Sequence, residues 1–165
     1  MTELEDLERF LQDQQRSADQ MTVDWDQRRD QFLAATRDLV DTVRNLLRPL
    51  ASKGLVQFSD TTSQISEWHA GRYHAPGLVA QLGSAQVELV PIGAEIAGAH
   101  GRVDLAGPQG QVPLLLLRGT SPQAGPGSNL SPDLSWKFMT PPPQPRYIDL
   151  DQNSLSRAIK GVIGA

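Results

Sequence analysis

Apolar or small residues recur every seven positions through the first third of the chain: Leu4, Leu11, Ala18, Trp25, Phe32, Leu39 and Leu46. A companion set three positions further on (Leu7, Gln14, Met21, Arg28, Ala35, Thr42) is interrupted by polar residues. Seven-residue spacing keeps one helical stripe facing a partner, so residues 3–50 read as a helix with one strong seam and one weak one. No glycine falls in this stretch, and its only proline is Pro49. The stripe is narrow through Trp25. From Phe32 it widens to take in Leu33, Leu39, Val40, Val43, Leu46, Leu47 and Leu50. A wide stripe is what a helix shows against a globular core. The second half is therefore expected to dock on the rest of the chain, and the first half to project or to pair with another helix. Thr22, followed by Asp24 and Asp26, also offers an internal N-cap with acids in the next turn. One continuous helix and two helices broken near 20–23 both fit. Gly54 suits the position just past a helix end.

After Gly54 the period falls to two. Strands are expected over 55–59, 63–68, 73–82, 85–90, 134–139 and 146–150, with 94–97 a further possible pairing segment. Pro76 and Gly77 point to an edge or a bulge in their strand. The clearest pair flanks Gly107, Pro108, Gln109 and Gly110. Pro108 is pre-set for the first central position of a turn, and Gly110 accepts positive φ, so 101–118 reads as a hairpin. Val103 and Leu105 then share one face, and Arg102 and Asp104 the other. Residues 114–117 are four leucines, apolar on both faces, which predicts a strand covered on both sides. The Gly-, Pro- and Ser-rich run 119–133 has no periodicity and reads as a mobile loop. Asp151 is an expected N-cap. Leu155, Ala158, Ile159, Val162 and Ile163 make one face of a short helix.

The expected fold is α+β: a long N-terminal helix, or helix pair, packed on a curved antiparallel sheet of about six strands, with a short C-terminal helix. The expected division is a helical arm over 1–50 and a β domain over 51–165.

Charge sharpens this division. The 165 residues carry a net charge of −4. Residues 1–50 hold eleven acids and seven arginines; the remainder is balanced at eight and eight. No basic stripe suited to phosphates appears, so nucleic-acid binding is not expected. No apolar run approaches the roughly 20 residues that span a bilayer, so no membrane role is expected. The acidic, polar start lacks a secretory apolar region, and the expectation is a cytoplasmic protein. The absence of cysteine removes disulfides, thiolate metal sites and thiol nucleophiles.

Candidate chemistry is sparse. His69, His74 and His100 match no zinc spacing, although Glu67, Glu95 or Asp104 could complete a set with them. There is no G-x-S-x-G, and the glycines at 93, 98, 101 and 107 lead into a strand rather than a helix, unlike a phosphate-binding loop. The run from Pro142 to Pro145 reads as a stiff spacer. No cofactor or metal is expected. The residues therefore point first to a non-catalytic interaction protein: an adaptor, regulatory or inhibitor-type subunit. It would use Leu4, Leu7, Leu11, Met21 and Trp25 to meet a protein partner or a second copy of itself. The alternative is a small enzyme or ligand-binding domain with a site near Glu95, His100, Arg102 and Asp104.

Overall fold

The computed structural model describes residues 2–118 and 134–164, excepting the side chains of 16–24. The mobile loop expected at 119–133 lies outside the described residues. Helix α1 spans Glu3–Leu46 as one continuous helix, without the break entertained near 20–23. It begins with a capping box: Thr2 accepts from the Glu5 amide, and the Glu5 side chain accepts from the Thr2 amide. Leu47 interrupts the helix, and Arg48–Ser52 forms the one-turn α2 with Pro49 in its first turn. Gly54 follows at φ +75°, as a glycine just past a helix end should.

Seven strands make one antiparallel sheet: β1 Val56–Glu67, β2 Gly71–Leu82, β3 Ala85–Gly93, β4 Arg102–Gly107, β5 Gly110–Arg118, β6 Leu134–Met139 and β7 Tyr147–Asp149. Their spatial order follows the chain, so the sheet is an open meander with β1 and β7 as its edges. The α+β expectation holds. Two details differ. The segments 55–59 and 63–68 belong to one strand, β1, because β2 pairs with it without a break from Val56↔Leu82 to Glu67↔Gly71. Residues 94–97 form no strand; Ile96 and Ala99 make a lone bridge. The Gly107–Gly110 hairpin is as expected, with Val103 and Leu105 buried.

One face of the sheet carries the core. Leu78, Leu89, Leu105 and Val112 lie side by side across β2–β5, and Val103, Leu114 and Phe138 across β4–β6. The face is covered by α1, through Phe32, Ala35, Leu39 and Val43, by Leu47 just past its end, and by α3, Gln152–Ile163, through Leu155, Ile159 and Val162. Leu50, counted in the wide stripe, is instead exposed on α2. Phe32 is the centre of the helix–sheet joint. Its ring meets Tyr73 and Trp136 edge-on, at 6.4 and 6.3 Å between centroids. The Trp136 indole donates to the Ala35 carbonyl at 2.9 Å, so its buried N–H is satisfied by the helix it packs against.

The long β1–β2 hairpin extends past the rest of the sheet. β3 pairs with β2 only over Leu78–Leu82. Pro76 lies beyond that pairing, in accord with the expected edge. Buried positions in β2 change parity at Gly77: Tyr73 and Ala75 before it, Leu78 and Ala80 after. Side chains alternate between faces along a strand, so the covered face of the hairpin switches there. Gly77 makes the switch sterically possible. A Cβ at this position would lie 2.5 Å from Thr61 Oγ1 and 2.7 Å from the Leu89 carbonyl oxygen.

Candidate functional site

The helical arm comes first. Leu4, Leu7, Phe10 and Leu11 are 74, 51, 58 and 52 % exposed. They sit in the first turns of α1, spaced by three and four residues, so they share one side of the helix. The Met21 side chain lies outside the described residues. Trp25 is half-buried, and its ring stacks on His69 at 5.2 Å with 8° between planes. The Arg28 guanidinium lies over the same indole, 5.4 Å from its centroid. Trp25 thus joins α1 to the tip of the first hairpin. Beside it, at the β1–β2 turn, Trp68 is 92 % exposed.

His69 leads into a polar corner. Its ring Nδ1 lies 2.5 Å from Glu95 Oε1, and its backbone amide donates to both Glu95 oxygens at 3.1 and 3.0 Å. The Ala70 amide adds a bond at 3.3 Å. Glu67, at the end of β1, faces the same loop from the other side. Its Oε1 accepts from the Ala94 amide at 3.0 Å and from the Tyr73 hydroxyl; its Oε2 accepts from the Glu95 amide at 2.7 Å. Gly93 is required here. It holds φ +155°, and a Cβ would lie 2.6 Å from Glu67 Oε2. The two carboxylates therefore fasten the β3–β4 connection to the tip of the first hairpin, and the tip in turn carries Trp25.

Burial pushes the Glu95 carboxyl up, but the His69 ring and the His69 and Ala70 amides outweigh it and hold the group below its ordinary value of 4.5. Burial, then the hydrogen bond and charge of Glu67, push the Tyr73 phenol above its ordinary 10.0. The signs are opposite. A depressed carboxyl stabilises the fold above its unfolded value, and that contribution is lost as pH falls through the folded one. A raised phenol stabilises below its unfolded value, and that contribution is lost as pH rises toward the folded one. Urea denaturation is expected to show stability falling from about pH 5 downward, with the slope reduced in Glu95→Gln, and falling again above about pH 10, with the slope reduced in Tyr73→Phe. Unchanged pH slopes in both variants would count against this corner as the source.

The four residues of the expected ligand site have these hydrogen-bond partners. Arg102 and Asp104 are joined: Arg102 Nε and Nη2 reach the two carboxylate oxygens at 2.7 and 3.1 Å. Asp104 is 4 % exposed, and the pair lies on the sheet face opposite the core. The hydrogen bonds and then the charge of Asp104 raise the Arg102 pKa against the opposing effect of burial. Glu95 is held by His69 and Ala70. His100 is half-buried, and its backbone amide donates to the Leu116 carbonyl at 2.8 Å. His69, Glu67 and Glu95 were among the residues that could have joined a histidine metal set. The structure does gather them, but around backbone amides and a phenol; among the described residues no group of three or more His, Asp or Glu side chains could hold a metal ion.

A cavity that the sequence did not signal lies elsewhere, between α3 and the β5–β7 end of the sheet, with a volume of about 240 Å³. No helix among the described residues is long and apolar enough to cross a membrane. Comparison with family models, curated proteins and solved structures finds no match for this chain.

Proposed function

We propose that this is a non-catalytic interaction protein whose N-terminal arm receives a helix from a protein partner or from a second copy of the chain. The observation that carries this reading is the stripe Leu4, Leu7, Phe10 and Leu11, left open to solvent on a helix whose later turns are fully committed to the core. Burying one such side chain contributes roughly 1.5–3 kcal/mol, and an isolated helix has nothing of its own to bury it against. The seven-residue spacing suits a second helix lying along the stripe. The polar inventory supports the same reading. The carboxylates of Glu67, Glu95 and Asp104 are each occupied by amides, a phenol or a guanidinium, leaving little for chemistry on a substrate.

Sedimentation velocity tests it. The full chain is expected to sediment as an oligomer, or to shift when its partner is added. Leu7→Asp with Leu11→Asp is expected to abolish this, while the melting temperature of the β domain stays unchanged. A chain that remains monomeric and captures no helix-bearing protein, or a double variant that still associates, would sink the proposal.

A further inference from the structure

The cavity beside α3 is walled by Val112, Phe138, Met139, Ile148 and Ala158. Its origin is local. α3 presents two small residues one turn apart, Ser154 and Ala158, toward the end of the sheet, where larger side chains would fill the space. The polar groups at its edge are mostly occupied. The Ser154 hydroxyl donates to the Asp149 carbonyl and accepts from the Asp151 amide, and Thr140 Oγ1 accepts from the Arg146 amide. Arg157 is different. It lines the cavity, is exposed, and has no hydrogen bond or ion pair among the described residues. A half-open apolar pocket with an exposed arginine among its lining residues is complementary to an apolar body that ends in an anion.

We infer that this cavity binds an aliphatic monocarboxylate of medium length, with its chain against Phe138 and Ala158 and its carboxylate on Arg157. Size sets the length. A cavity of about 150 Å³ holds a six-carbon ring, so the 240 Å³ here corresponds to a chain of roughly eight carbons. The guanidinium sets the end group, because its planar donor fork matches a carboxylate and gives nothing comparable to an alcohol. This site is independent of the helical arm and of the function proposed for it.

Octanoate, octanol and the full-length chain decide the matter by methyl and amide NMR titration. Octanoate is expected to shift the signals of Val112, Ile148 and Ala158 saturably. Arg157→Gln is expected to weaken octanoate about tenfold while leaving octanol within about twofold, as the loss of one charge-assisted hydrogen-bonded pair predicts. Ala158→Phe is expected to fill the chamber and abolish both titrations, and Ala158→Leu to weaken both if the larger ring prevents folding. The inference is overturned if octanoate gives no saturable shifts at millimolar concentration. It is overturned equally if the Ala158 variants bind as before, or if octanol matches octanoate and Arg157→Gln leaves both unchanged.

Discussion

Phe32→Ala is expected to destabilise the protein by about 3–5 kcal/mol, the range for emptying a buried aromatic position. The ring is fully buried and touches Tyr73 on the first hairpin and Trp136 on β6, so its loss opens the joint between α1 and both halves of the sheet. The sharper expectation concerns Gly101. A Cβ there would lie 2.3 Å from Phe32 Cδ1 and 2.8 Å from Cε1. Gly101→Ala alone is therefore expected to cost about 1–3 kcal/mol through overpacking. In the Phe32→Ala background the same methyl enters space the ring has left, and its cost should vanish or change sign. Urea denaturation of the two single variants and the double variant measures this coupling. Strictly additive costs would show that the glycine is not there to admit the ring.

Glu67→Ala is expected to cost about 2–4 kcal/mol, because it leaves the Glu95 amide and the Tyr73 hydroxyl without their acceptor and weakens the hold on the Ala94 amide. Glu67→Gln keeps the shape but replaces one acceptor oxygen with a donor facing a donor, so it should recover only part of the loss. Stability alone would not distinguish this corner from any other buried contact. The Tyr73 phenol does. Glu67 raises it by hydrogen bonding and by charge, so both variants should lower the pH at which Tyr73 ionises, Glu67→Ala the more. NMR observation of the Tyr73 ring across the alkaline range reads this directly. A Tyr73 transition that does not move in either variant would mean that Glu67 is not the partner that matters.

What could be read from the sequence was whatever depends on neighbours along the chain. The widening stripe after Phe32 located the docked half of α1, since helical periodicity is local. Pro108 and Gly110 located a hairpin, and Asp151 a helix start, for the same reason. The polar corner was not legible. Glu67 meets Glu95 across 28 positions, on a hairpin that changes its covered face at Gly77. Gly77 and Gly93 looked like ordinary strand interruptions. Their meaning lies in what a Cβ would strike, which is a tertiary fact. The hydrogen-bond partners of Glu95 and Asp104 were hidden as well. In the fold Glu95 turns to the hairpin tip and Asp104 to its own strand neighbour. The cavity was hidden for a related reason: Ser154 and Ala158 are unremarkable on a short helix until the width of the gap they face is known.

An open meander has two free edges, and each is a template on which another chain could add a strand. The two are blunted in different ways. β7 is three residues long, too short to seed a stable pairing. β1 is twelve residues long and would be the greater hazard. Along it Gln57, Ser59, Asp60, Thr62, Gln64 and Ser66 are exposed, and only Val56 and Ile65 are buried. Asp60 is further tied to Arg44 of α1. Six-residue segments that stack into amyloid-like ribbons need high hydrophobicity and little charge. The exposed positions of this edge are polar, and one of them is charged, so it is a poor template for such stacking even though the sheet does not close.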